Sequence, residues 1–328
     1  MNRRNMLKAV AASILLPCFP AYASKTAEGS NKQPLFDISL SQWSFHRAIF
    51  GNSRDDYAWY LKTLHSVPDL VLKGVMDPRE ITEQARKLGV EQVDLANTLW
   101  FGHANDKPWL NEFKVRANND GITFKLLMCD ETGSLGSSKK SQRQRAIENH
   151  LPWFNAAAEL GCSQIRVNAY GDGKYLAQLQ QNAESLQVLG ELGQQYKLEV
   201  LVENHGHASN NGAWLAMLME MTNHENVGVF TDLDNFFMGG WDISPQRLYD
   251  RTQGVIDLAP YTRGVSAKAH HFTAQGQEST IDYAMLLKIL VVQGFNGTVS
   301  AEFEGDHMSE FFGSEATVKL LKSMQYEV

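Results

Sequence analysis

The stretch from Leu198 to Asn210, LEVLVENHGHASN, brings a carboxylate to the end of an apolar strand. Leu198, Val200 and Val202 alternate with Glu199, Leu201 and Glu203, and the branched side chains suit a strand buried on both faces. That strand runs straight into Glu203, Asn204, His205 and His207. In parallel α/β folds the chemistry collects where the strands end. Three further strand ends carry groups of the same kind. Val227–Asp232 finishes on Asp232, with Asp234 and Asn235 just past it. In Gly264–His270 and Thr298–Glu304 alternate residues point the same way, which groups Lys268 with His270 and Glu302 with Glu304. At one barrel mouth, Glu203, Asp232, His270 and Glu302 would meet around a single divalent ion. Three carboxylates and an imidazole suit Mn²⁺, Mg²⁺, Co²⁺, Zn²⁺ or Fe²⁺, and the lack of thiolates argues against structural zinc. Singly, such residues are as readily caps, loop anchors or a hydrogen-bonded structural histidine. Four in register on consecutive strands point to a metal site.

A cation held in this way chelates a carbonyl and the neighbouring hydroxyl of a sugar. It stabilises the enediolate that forms when the adjacent C–H gives its proton to a general base. Return of the proton to the opposite face of the same carbon is epimerisation. Return to the next carbon is aldose–ketose isomerisation, and a leaving group β to the carbanion makes the same site a lyase.

The elements that must position these groups recur as strand and then helix. Strands are predicted at Phe36–Leu40, Glu91–Leu95, Thr123–Met128, Gln164–Asn168, Glu199–Glu203, Val227–Asp232, Gly264–Ala269 and Thr298–Phe303. Amphipathic segments such as Arg143–Leu160, Lys174–Tyr196 and Ile281–Gln293 lie between them. Gly89, Gly161 and Gly294 each close a helical pattern, as C-terminal caps do. Eight such units predict one (β/α)₈ TIM barrel over residues 34–328, in preference to a doubly wound sheet. Gly51–Asp77 exceeds a minimal first loop and predicts extra helix at the barrel mouth.

Residues 1–23 stand outside that scheme. Arg3, Arg4 and Lys8 precede a short apolar run, Ala9–Leu16, and Ala21-Tyr22-Ala23 supplies an export cleavage site. The run is too short for a permanent membrane span. Asn2 to Lys8 resembles a twin-arginine signal, so a periplasmic protein is expected, with 24–33 as a flexible tether. A general secretion signal that happens to hold two arginines is the plainer alternative, and Pro17 fits lipidation at Cys18 poorly. Without Arg3, Arg4 and Lys8, 27 basic side chains face 37 acidic ones, a balance near −10. No nucleic-acid partner is expected of so acidic a chain. Cys129 and Cys162 remain after cleavage, each beside an apolar strand, and are expected as buried thiols rather than a disulfide.

Four segments give the chain a resemblance to the xylose isomerase-like TIM-barrel superfamily, also called the sugar phosphate isomerase/epimerase family. They are Val202-Glu-Asn-His-Gly206, Thr231-Asp-Leu-Asp-Asn-Phe236, Val265-Ser-Ala-Lys-Ala-His-His-Phe272 and Ala301-Glu-Phe-Glu-Gly305, and the resemblance spans Pro34–Met324. It implies one divalent metal on Glu203, Asp232, His270 and Glu302, with Glu203 and Glu302 as the acid/base pair on opposite sides of a sugar. The family pattern of the first glutamate selects Glu302 over Glu304. Many members carry the histidine ligand earlier in the seventh strand, where this chain has Ser266. His270 keeps the inward parity of Ser266 and Lys268 and is taken as the ligand. Many members pair through the helical shell, which leaves a homodimer open for this chain.

Around this centre, Arg166 and Asn168 share a face at the end of strand four, to bind substrate oxygens or to form a structural ion pair. His205 and Lys268 are further substrate contacts, and Lys268 equally a proton carrier or the partner of a carboxylate. Trp43 and His46, with Trp100, Phe101 and His103, offer flat walls for a sugar ring or simply cover the barrel end. The leading expectation is a metal-dependent sugar isomerase or epimerase. A β-eliminating lyase on keto-sugars or keto-glycosides uses the same residues, and export favours it because phosphorylated sugars are scarce outside the cytoplasm. No Gly-rich phosphate loop is present. Phosphodiester cleavage, as in the family's endonuclease branch, calls for more ligands and a basic face. A periplasmic carbohydrate-binding protein is the non-enzyme alternative.

Overall fold

In the computed structural model, which describes residues 33–239 and 244–328, eight parallel strands close into a barrel. They are β1 (Asp37–Ser41), β2 (Gln92–Ala96), β3 (Thr123–Met128) and β4 (Gln164–Asn168). β5 (Glu199–Glu203), β6 (Val227–Asp232), β7 (Thr262–Ala269) and β8 (Thr298–Phe303) complete it. Spatial order follows chain order, and β8 closes onto β1. Five strands coincide with the hydrophobic pattern. β1 and β2 lie one residue later, and β7 starts two residues earlier. Phe36 shows why: it is buried in the core but precedes the ladder, so burial begins before strand pairing does.

Helices fill the connections. Lys140–Leu160 and Tyr175–Tyr196 are the longest, and side chains such as Asp106, Asn211 and Ser309 accept backbone N–H groups at helix starts. Gly89 and Gly161 end two helices at φ of 64° and 87°, a left-handed conformation that glycine adopts without a Cβ clash. The long first connection contains the helix Tyr57–Leu64 and a 3₁₀ turn at Pro68–Val71. After β6, Phe237–Met238 pairs antiparallel with Arg247–Leu248, a small ribbon that no alternation in the sequence signals. Cys129 and Cys162 are buried free thiols. No helix among the described residues is long and apolar enough to cross a membrane. The export signal and most of the tether fall outside the described residues.

Below the site, the start of the barrel holds the buried carboxylate of Asp94 on β2. Ser39 Oγ donates to Asp94 Oδ2 at 2.7 Å, and Asp94 is only 1% exposed. Burial pushes its carboxyl up to about 6, against the pull of the serine hydroxyls. The folded protein therefore holds a proton that the unfolded chain releases at lower pH. Stability is expected to fall as pH rises from about 4 to 6, by about 3 kcal/mol for this one group. Urea midpoints across that range, for the wild type and Asp94→Asn, check it. A slope unchanged by the substitution would assign the pH dependence elsewhere.

Candidate active site

Strand register assembles the site. Lys268 of β7 lies directly beside Glu302 of β8, Ser266 sits between Asp232 of β6 and Ser300 of β8, and Asn168 of β4 faces Glu203 of β5. All these residues are buried, and all but Ser266 and Ser300 lie at the C-terminal ends of their strands. The Lys268 ammonium lies 3.3 Å from Asp232 Oδ2, 3.4 Å from Glu304 Oε1 and 3.8 Å from Glu302 Oε1. It also donates to Asn235 Oδ1 at 3.4 Å. Burial opposes its charge, but Asp232, Glu304, Glu302 and Glu203 outweigh that and hold it well above the ordinary lysine range.

Each carboxylate has its own partners. Glu302 accepts from Ser41 Oγ at 2.7 Å on one oxygen and from Ser266 Oγ at 3.2 Å on the other. Burial pushes the Glu302 carboxyl up to about 7, with Lys268 pulling the other way. Asp232 Oδ1 accepts the backbone N–H groups of Asp234 (2.7 Å) and Asn235 (2.9 Å). Glu203 Oε2 forms an ion pair with Arg166 Nε at 2.7 Å, and Asn235 Nδ2 donates to Oε1 at 3.3 Å. Burial lifts the Glu203 carboxyl against the pull of that guanidinium. Arg166 reaches Asp130 on its other side, Nη1 to Oδ1 at 2.7 Å, and Asn168 Nδ2 donates to the same oxygen at 2.7 Å. Burial would lift the Asp130 carboxyl, yet Arg166 and His205 hold it well below the usual range.

Around the cluster, Trp43 Nε1 donates to Glu304 Oε1 at 2.8 Å. His46 stacks on Trp43 with ring centroids 4.7 Å apart, and its Nδ1 donates to the Trp43 carbonyl at 2.8 Å. Burial pushes His46 down to about 4 and His205 to about 3, so both rings are neutral at pH 7. His205 Nδ1 lies 2.6 Å from Tyr170 Oη. Arg54, from the long first connection, sits 4.9 Å above Trp43. Trp100 belongs to the core, fully buried and stacked on Trp109 at 5.3 Å. His103 lies 3.0 Å from Asp106 and stacks on Trp109. His270 follows the last paired residue of β7, where strand parity no longer directs its ring. Its Nε2 meets Asp234 Oδ2 at 3.0 Å, with the side chain 29% exposed, and Asp234 also pairs with Arg251. Gly305, at the end of the β8 motif, passes so close that an added Cβ would lie 1.9 Å from the His270 carbonyl oxygen.

Residues 82–325 match the model of the family described as "Xylose isomerase-like TIM barrel". The chain belongs to that family. No curated protein matches it significantly. Among solved structures, a sugar phosphate isomerase/epimerase from Parabacteroides distasonis is 14% identical, with a TM-score of 0.62 over 94% of this chain and 100% of that one. The 3-keto-D-glucoside 4-epimerase from E. coli is 15% identical, with a TM-score of 0.58 over 75% and 94%. The probable 3-DHS dehydratase from Bacillus anthracis is 14% identical, with a TM-score of 0.58 over 88% and 99%. At such identities these likenesses establish the barrel fold.

The xylose isomerase-like barrel raises the question of a divalent cation, and the donor set of this chain does not fit one. Among the described residues, no three His, Cys, Asp or Glu side chains are arranged to hold a metal ion. The β7 position beside Asp232 offers the Ser266 hydroxyl, and His270 turns to Asp234. The Lys268 ammonium stands among the carboxylates instead. Two unit charges 4 Å apart repel by about 4 kcal/mol at an effective dielectric of 20, and a dication doubles that.

Of the residues expected from sequence, Glu203, Asp232, Glu302, Lys268, Arg166 and Asn168 are thus joined in one buried polar network. Trp43 and His46 reach it through Glu304 and the stacked rings. Asn235, named from sequence just past β6, joins it too, while Asp130 and Ser41 belong to it and were not foreseen, nor was Tyr170 beside His205. Asp130 was within reach of the strand-end rule, lying two residues past β3.

Proposed function

We propose that this chain moves a proton at the carbon beside the carbonyl of an unphosphorylated sugar or glycoside, as an isomerase or epimerase. What carries this is the placement of two buried glutamates, Glu203 on β5 and Glu302 on β8, with two strands between them and linked through Lys268 and Asn235. One removes the proton and the other returns it, which is the requirement of epimerisation. Family membership and the sugar epimerases among structural neighbours support the same class. The donors present do not fit the divalent ion that the resemblance implies, so the proton transfer falls to the chain's own side chains. We further propose export to the periplasm, on the strength of residues 1–23 alone.

Elimination from a keto-sugar or keto-glycoside is the second reading. It needs the same base, and a probable dehydratase shares the fold. Proton NMR in D₂O, with a panel of unphosphorylated ketoses, aldoses and 3-keto-glycosides, tests both. Deuterium beside the carbonyl with a new epimer or isomer is the expected result. An unsaturated product with a released aglycone would establish the lyase. A complete lack of exchange, with saturable ligand binding, would make the protein a carbohydrate binder.

A further inference from the structure

We infer that the Lys268 ammonium takes the place of the divalent cation in this barrel, so that the site is built to work without a bound metal. Three features of the chain converge on this. First, Lys268 is itself buried and lies within 3.3–3.8 Å of carboxylate oxygens on Asp232, Glu304 and Glu302. Second, the side chains that would ligate an ion are occupied otherwise. Both Glu302 oxygens accept serine hydroxyls, Asp232 gives Oδ1 to two backbone N–H groups, and the oxygens without a hydrogen bond, Asp232 Oδ2 and Glu203 Oε2, face the cations Lys268 and Arg166. Third, the β7 residue in register with Asp232 is Ser266, whose hydroxyl is already given to Glu302.

The catalytic role of Lys268 rests on the proton-transfer function proposed above. A glutamate takes the proton from the carbon, and the C–H electron pair becomes the C=C bond of the enediolate. The carbonyl π pair moves to oxygen, and a Lys268 N–H donates to that oxygen. The 3.8 Å contact with Glu302 is the longest of the ammonium's three carboxylate contacts and the one a substrate oxygen most easily replaces. The second glutamate then returns a proton to carbon, the electron pair moves back, and the carbonyl re-forms with no net redox change. The Glu304 carboxylate, held by Trp43 as well as by Lys268, keeps the ammonium aimed at the mouth.

Two measurements test this. Full-length protein is titrated calorimetrically with Mn²⁺ and with Co²⁺, and its metal content is measured after purification without added metal. No stoichiometric binding is expected. One equivalent bound by the wild type and lost in Asp232→Asn would overturn the inference, whatever the reaction proves to be. On a substrate identified by exchange, chelator is expected to leave wild-type exchange intact. Lys268→Met should lower kcat about 10²–10³-fold, the usual cost of an oxyanion donor, and Lys268→Arg should restore part of it. Exchange abolished by chelator and restored by Mn²⁺ would also overturn the inference. Loss of folding in Lys268→Met would leave the wild-type titration and the chelator result to decide. Failure of every substrate to exchange would sink the proposed proton transfer without altering what the titration says about the metal.

Discussion

Glu302→Gln and Glu203→Gln are each expected to lower proton exchange by about 10²–10⁴-fold, the range supplied by a positioned general acid or base. Substrate affinity should stay close to that of the wild type, because the amide keeps the size and an acceptor oxygen for Ser41 or Asn235. Loss of kcat and kcat/KM in equal measure identifies an interaction made only in the transition state. Glu302 also gives the reaction its pH dependence. Burial pushes its carboxyl up to about 7, so the ionised base disappears as pH falls through that value. Activity should therefore rise as pH passes through about 7 in the wild type, and that limb should be absent in Glu302→Gln. Exchange measured by NMR across pH 5–9 decides it. Full activity in either glutamine variant would remove that residue from the chemistry.

The barrel was legible because each strand is a short apolar run between helical patterns of ordinary length, and that alternation has few other packings. Parity within the strands was enough to bring Glu203, Asp232, Lys268 and Glu302 to one mouth. It failed for His270, because that residue lies one step past the β7 ladder and the periodicity of two ends with the hydrogen bonds. The partners from loops, Asn235 beyond β6 and Tyr170 beyond β4, are set by how the chain turns and leave no periodic trace. Which cation neutralises which carboxylate was equally out of reach. Parity places Lys268 and Arg166 inward, but which carboxylate each long side chain reaches depends on rotamers that parity does not fix. The short ribbon at Phe237–Met238 and Arg247–Leu248 escaped because two-residue strands carry too few alternations to be seen.

Arg166→Met is expected to cost the largest share of stability of any single change at the site. The side chain is 3% exposed and spans two carboxylates, with Nε 2.7 Å from Glu203 and Nη1 2.7 Å from Asp130. Its Nη1 also reaches the Cys129 carbonyl and Asn168 Oδ1, which leaves little of the guanidinium for a substrate. Arg166 is thus a positioning residue for Glu203 more than a substrate ligand. Removing it strands the buried Glu203 carboxylate and the half-buried Asp130 carboxylate, and breaking a buried pair in this way costs about 3–5 kcal/mol. Arg166→Lys keeps the charge but not the planar fork, so one carboxylate loses its partner and part of the loss remains. Arg166→Met with Asp130→Asn should recover some of what Arg166→Met loses, since a neutral amide no longer needs the cation. Urea midpoints of the wild type, Arg166→Met, Asp130→Asn and the double variant give the coupling directly. If Arg166→Met unfolds at the wild-type midpoint, the pair contributes nothing net to the fold and Arg166 is held in place for the substrate.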